Sequence, residues 1–133
     1  MVKYYLMSTG MEVLRPYKRL VVWQRGYEFV LKVYKTTESF PKHEQYGLIS
    51  QLRRAVVSIV ANIVEGSAKQ SKKDFLRFLY IAKGSLWECE FFLELSLDLQ
   101  YLHKKDFYQL DEIRAKTDYL LNKLILSLKS PLT

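Results

Sequence analysis

Residues 51–66, QLRRAVVSIVANIVEG, are apolar around most of a helical circumference. At about 100° per residue, one narrow stripe of this segment is polar and most of the rest is apolar. Such a helix must be covered from several directions, which requires further helices and favours an assembly. We predict that the polar stripe lines a seam or central channel of that assembly. The stripe consists of Gln51, Arg54, Ser58, Asn62 and Glu65.

Residues 75–96 carry two apolar stripes on roughly opposite sides of a second predicted helix. The first has the spacing of a core face and includes Phe78, Leu86 and Leu93. The second combines large aromatic side chains with a glycine that permits close approach, as in subunit interfaces. Because a four-helix monomer buries one face of each helix, this stripe predicts a subunit contact; cover by an N-terminal segment is the alternative. The predicted interface consists of Tyr80, Gly84, Trp87, Phe91 and Leu95.

The spacing of apolar residues along the chain predicts helices and no strands. They are expected over residues 17–37, 44–65, 71–102 and 106–129. Ser71 with Asp74 predicts a capping box for the third helix, and Gly66 is a suitable C-terminal glycine for the second. Because short connections make consecutive helices antiparallel neighbours, we predict an all-α, antiparallel up-down-up-down four-helix bundle that is oligomeric.

Length and composition are those of one globular domain. A chain of 133 residues, 49% hydrophobic and 26% charged, can bury a single core and is not generally disordered. We expect residues 1–16 to be an N-terminal extension, possible alternative starts being Met7 and Met11, and residues 17–130 to be the domain. No apolar run approaches the ~20 residues of a membrane span, which predicts a cytoplasmic protein. Cys89 lies on the core stripe and is expected to be a buried hydrophobe.

The distribution of charge is more informative than the net value of +7. Residues 69–83 contain five basic residues and one acid, whereas residues 84–102 contain four acids and no lysine or arginine. This order opposes the helix macrodipole, so helix stability does not explain it. Nucleic-acid binding through phosphates and electrostatic matching between subunits are both open. The predicted nucleic-acid-binding residues are Arg53, Arg54, Lys69, Lys72, Lys73, Arg77 and Lys83.

Several motifs together resemble a known bacterial family. They are VW at Val22 and Trp23, FPKHEQYGL, QLRRA, SIVANIVEG, FLRFLYIAKGSL and Glu88. In this combination the chain is similar to the four-helix-bundle proteins first named for intervening sequences of 23S rRNA genes. The resemblance covers about residues 20–102 strongly. It implies a homopentameric up-down bundle but no settled activity. Val60 stands where many relatives have proline, which predicts a straighter second helix.

A more distant resemblance is to the accessory protein of diversity-generating retroelements. That protein is a basic pentameric bundle that works with a reverse transcriptase and its RNA. This resemblance implies self-association as a homopentamer, nucleic acid as a ligand, and a reverse transcriptase as a further partner.

The sequence offers little for enzyme chemistry. It has no Walker loop, no glycine-rich dinucleotide turn and no zinc-type Cys/His spacing, and neither His43 nor His103 follows a glutamate at the di-iron spacing. We therefore predict no catalytic residues, no metal, no cofactor and no small-molecule substrate. Two hypotheses remain: a nucleic-acid-binding assembly, accessory to RNA processing or reverse transcription, and a structural or protein-interaction ring without a nucleic-acid ligand.

Overall fold

The computed structural model describes residues 15–131, and this part of the chain is helical without strands. Its α-helices are α1 Val21–Thr37, α2 Leu48–Ser67, α3 Lys72–Asp98 and α4 Lys104–Lys129. Short 3-10 helices, Pro16–Arg19 and Lys42–Glu44, precede α1 and α2. The prediction of an all-α protein with four helices is confirmed. The predicted extension over residues 1–16 lies almost entirely outside the described residues.

The start of α2 differs from the prediction for a physical reason. Glu44 was predicted to begin α2, but it ends the preceding 3-10 helix and α2 begins at Leu48. The Oε1 of Glu44 accepts a hydrogen bond from the Leu48 backbone N–H at 3.0 Å. The carboxylate thereby satisfies one of the N–H groups that a first turn leaves unpaired. A Cβ on Gly47 would lie 2.6 Å from that oxygen, so glycine leaves room for this cap.

The prediction that Gly66 ends α2 is wrong. The helix continues to Ser67, and Gly66 is a buried helical residue. A Cβ on Gly66 would lie 2.8 Å from Cβ of Phe78 and 2.9 Å from Cδ1 of Phe75. Glycine is therefore required here because α2 and α3 approach closely, not because the chain needs a left-handed conformation.

The third helix begins as predicted and ends earlier. Ser71 is its N-cap, and the Ser71 hydroxyl accepts a hydrogen bond from the Asp74 backbone N–H at 3.1 Å. At the other end, Gln100 adopts a left-handed conformation with φ of 64°, and Tyr101 N–H donates to the Ser96 carbonyl at 2.9 Å. This is a Schellman termination, usually made by glycine, which stops α3 at Asp98 instead of near residue 102.

The four helices of the single chain surround one hydrophobic core. Each helix packs against the next in sequence, and α4 packs against α1. Gly26 allows a close contact between α1 and α2, since a Cβ there would lie 2.8 Å from Cγ1 of Val60. Val60 lies within an uninterrupted α2. The largest fully buried side chains include Phe29, Leu52, Ile59, Ile63, Leu79, Leu86, Leu93, Leu110 and Leu121.

None of the helices within residues 15–131 has an apolar stretch long enough to span a membrane.

Candidate nucleic-acid and subunit interfaces

Basic side chains surround the turn between α2 and α3. Lys69 lies in the turn, Lys72 and Lys73 form the first turn of α3, Arg77 follows one turn later, and all four are exposed. The ammonium of Lys69 lies 5.2 Å, and the guanidinium of Arg77 4.5 Å, from the ring centroid of the buried Phe78. Phe78 therefore holds two cations near one another at the surface. We call these four basic residues the turn cluster.

The ion pairs found among residues 15–131 do not include Lys69, Lys73 or Arg77. One acid, Asp74, is exposed within the same turn of α3. Because the cluster has more cations than anions and faces solvent, it can attract a polyanion.

Two predicted nucleic-acid residues lie elsewhere and bond to the fold. Arg53 Nε donates to Thr37 Oγ1 at 2.9 Å and Arg53 Nη2 donates to the Tyr34 carbonyl at 3.2 Å, which ties α2 to α1. Its position, sixteen residues before Lys69, places it about 24 Å away along α2. Lys83 Nζ donates to Asp118 at 3.2 Å and to Asn122 at 2.7 Å, which ties α3 to α4. The structure therefore does not bring Arg53 or Lys83 to the turn cluster.

The stripe predicted to form the subunit interface is largely exposed in the single chain. Trp87 is 67% exposed, Phe91 59% and Tyr80 48%. A Cβ on Gly84 would meet no atom within 4 Å, so a second helix could approach the backbone there. Leu95 is half-buried and packs against the core. The four outer residues leave an apolar surface that is unusual for a monomer.

The predicted polar seam runs along the outer edge of α2 beside α3. Asn62 Nδ2 donates to the Ser58 carbonyl at 2.7 Å and to Ser58 Oγ at 3.1 Å. The hydroxyls of Ser58 and Ser85 are hydrogen-bonded at 2.8 Å. Ser85 is buried and was not among the predicted seam residues. It lies on the side of α3 that faces the seam, one turn before Glu88, which lines the same seam. Part of the predicted seam is therefore a hydrogen-bonded contact between α2 and α3 within one chain.

The outer part of the seam is open. Gln51, Arg54 and Glu65 are exposed. A small cavity of about 80 Å³ lies between the two helices and is lined by Gln51, Arg54, Ala55, Ser58 and Glu88. Arg54 therefore belongs with the seam and its acidic neighbour, away from the turn cluster.

Cys89 is fully buried in the core, as predicted. Burial disfavours the thiolate and raises the pKa of Cys89 to about 12. Because the thiolate is the reactive form, this side chain is inert near neutral pH. In the described part of the chain, no group of three His, Cys, Asp or Glu side chains could hold a metal ion.

A hydrogen-bonded network joins the α1–α2 connection to the α3–α4 turn. Tyr101 Oη donates to Glu44 Oε2 at 3.1 Å, and His43 Nε2 lies 3.3 Å from the same hydroxyl. The hydrogen bond from Leu48 N–H, followed by that from Tyr101, lowers the pKa of Glu44. Burial and the neighbouring Glu44 raise the pKa of Tyr101.

A second basic region was missed by the sequence reasoning. On α4, Lys116 and Lys123 lie with their ammonium groups 5.9 and 5.6 Å from the ring centroid of Tyr119. Tyr119 is 56% exposed. The signal was the spacing of the lysines, three residues before and four residues after an aromatic residue, which places all three on one helical face.

Comparisons with known proteins identify one family. Residues 18–123 match the model of the 23S rRNA-intervening sequence protein family. The fold is similar to the crystal structure of a protein of unknown function from the S23 ribosomal protein family of Bacteroides thetaiotaomicron. That structure superposes with a TM-score of 0.73 and 26% identity, over 79% of this chain and 95% of the other. No curated protein matches this chain. The chain belongs to the 23S rRNA-intervening sequence protein family.

Proposed function

We propose that this chain is a non-enzymatic protein that assembles into a ring, as a homopentamer, and binds nucleic acid through the turn cluster. The cytoplasmic role is that of an accessory in RNA processing or reverse transcription, with a reverse transcriptase as a partner protein. The observation that carries the proposal is the group of exposed cations at the α2–α3 turn, two of which lie against Phe78.

The proposed bundle is antiparallel, with up-down-up-down topology. Contacts between consecutive helices support it, because residues further along one helix meet residues earlier in the next. Lys83 bonds to Asp118 and Asn122, whereas Glu90 lies 3.8 Å from Arg114. In such a bundle the α2–α3 turn lies at one end, which leaves the turn cluster open to a large ligand.

Assembly is supported by the exposed apolar face of α3. Trp87 and Phe91 place large apolar rings in solvent in the single chain, and interfaces are enriched in such residues. In a ring, each subunit would contribute one turn cluster. Individually weak phosphate contacts would then add through multivalency.

The buried thiol supports the non-enzymatic part of the proposal. Cys89 is the single cysteine of the chain, and its raised pKa of about 12 keeps it protonated. The exposed His43 bonds to Tyr101, which already donates to Glu44. His43, Tyr101 and Glu44 thus join the α1–α2 connection to the α3–α4 turn.

The test of nucleic-acid binding is charge reversal at the turn cluster. A Lys69→Glu, Lys72→Glu, Lys73→Glu variant should keep the oligomeric mass of the wild type and lose binding to structured RNA and duplex DNA in ~50 mM salt. The matched control changes three exposed lysines near the opposite end, Lys35, Lys42 and Lys104, to glutamate. It carries the same charge change and should retain most of the binding.

The second candidate function, a scaffold ring without a nucleic-acid ligand, is favoured by the exposed α3 face alone. It predicts that wild-type protein shifts neither nucleic acid in ~50 mM salt, where phosphate contacts are strong. Trp87→Glu should dissociate or aggregate the assembly under either function. A wild-type protein that is monomeric by light scattering at micromolar concentration would contradict both.

A further inference from the structure

The outward face of α4 carries two parallel rows of exposed side chains. At about 100° per residue, Lys105, Lys116 and Lys123 fall within about 20° of one another. Tyr108, Tyr119 and Leu126 form a second row about 60° to one side. All six side chains are exposed, with Tyr108 66%, Tyr119 56% and Leu126 66% accessible. The face therefore presents a line of cations beside a line of flat or apolar groups.

Two of the four acids of α4 bond to basic side chains away from these rows. Asp111 accepts a hydrogen bond from Arg114 Nε at 2.7 Å, and Asp118 accepts one from Lys83 Nζ at 3.2 Å. Glu112 is the acid that remains exposed between the rows. The face is consequently positive, and its positive charge is concentrated around Tyr119, where Lys116 and Lys123 flank the ring.

The lysine row extends toward the turn cluster. From Lys105 to Lys123 it runs about 27 Å along the helix. Because Lys83 bonds to Asp118 and Asn122 while Glu90 meets Arg114, the later part of α4 lies beside the earlier part of α3. A strand that contacts the turn cluster could thus continue along α4.

From this arrangement we infer that the α4 face binds single-stranded nucleic acid, with unpaired bases stacked on Tyr119 and Tyr108 and phosphates on the lysine row. The inference rests on the proposed function and names the form of its ligand. Exposed aromatic rings beside a track of cations are what single strands need, because every base has a face that can stack. In a duplex the base faces are covered, so a duplex would use the lysines alone.

The test compares a single-stranded oligothymidylate with a duplex of equal length by fluorescence anisotropy in ~50 mM salt. Tyr119→Ala should weaken single-strand binding by roughly tenfold, since stacking on one ring has about that effect. Duplex binding should not change. Tyr119→Phe keeps the ring and should restore single-strand affinity. The matched control is Tyr46→Ala, which removes a 94% exposed tyrosine outside α4 and should leave both affinities unchanged.

Several outcomes would overturn the inference. If Tyr119→Ala leaves single-strand affinity unchanged while the turn-cluster variant abolishes it, the α4 inference fails and the proposed function stands. If wild-type protein binds neither oligonucleotide, both fail. Competition by polyglutamate equal to that by oligothymidylate would identify a surface that recognises charge alone. A change of oligomeric mass in Tyr119→Ala would show that a second copy of the chain covers this face.

Discussion

At the end of the bundle where the α1–α2 connection meets the α3–α4 turn, the carboxylate of Glu44 bonds to the fold, whereas at the α2–α3 turn four basic side chains face solvent. Glu44 caps α2 and accepts a hydrogen bond from Tyr101. Lys69 and Arg77, by contrast, contact only the ring of Phe78 among the interactions described. The difference shows that a charged side chain indicates a ligand-binding surface only when it is not already bonded within the fold.

The α2–α3 turn is held by close packing instead of by charge, and Gly66 is its tightest point. Gly66→Ala would place a methyl group 2.8 Å from Cβ of Phe78, an atom fixed to the backbone. We expect a loss of about 1–3 kcal/mol in the free energy of unfolding, as in other overpacked cores. Urea unfolding at fixed protein concentration measures it.

The control for this substitution is Gln109→Ala in α4, at an exposed position outside the predicted subunit interface. It should change the free energy of unfolding by less than about 0.5 kcal/mol, because the side chain is at the surface. Equal effects of the two substitutions would contradict the role of Gly66 as a contact point.

Arg53 and Lys73 allow a direct comparison between a basic side chain that stabilises the fold and one proposed to bind nucleic acid. Arg53→Gln removes hydrogen bonds to Thr37 and Tyr34 and should lower the free energy of unfolding by about 1 kcal/mol. Lys73→Gln should change it by less than about 0.5 kcal/mol, because this side chain is at the surface. Nucleic-acid affinity should show the reverse order, with the larger loss in Lys73→Gln. If Arg53→Gln instead kept the wild-type stability and weakened nucleic-acid binding, the assignment of Arg53 to the fold would be wrong.

The sequence was sufficient for the elements that depend on periodicity and local capping. The stripe that includes Leu79, Leu86 and Leu93 predicted the buried face of α3, and Ser71 predicted its N-cap. Both signals lie within a few residues of the position they describe. The family motifs are also read directly from the sequence, and they predicted the family that the comparisons found.

Features that depend on neighbouring helices could not be predicted in this way. Gly66 has the identity of a C-terminal glycine, and only the position of Phe78 shows that it is a packing glycine. Gln100 ends α3 in a conformation that glycine usually adopts, so composition gave no signal. Lys83 belonged to a basic run along the chain, yet its partners, Asp118 and Asn122, lie on another helix. Predicted interface and ligand roles of the exposed residues remain predictions.

The smallest expected effect concerns the protonation of Glu44. Its pKa is lowered from the ordinary value of 4.5, chiefly by the hydrogen bond from Leu48 N–H. A group whose pKa is lower in the folded state contributes stability above its unfolded pKa and loses that contribution as the pH falls through the folded value. The wild-type protein should therefore lose part of its stability as the pH is lowered below about 4.5, while Glu44→Gln should show a shallower decrease. Urea midpoints measured between neutral pH and that range test this, with the exposed Glu38→Gln as the control that should keep the wild-type slope. Should Glu44→Gln and Glu38→Gln follow the same curve, the network at this end of the bundle does not hold the two connections through charge, and the contrast with the α2–α3 turn reduces to packing alone.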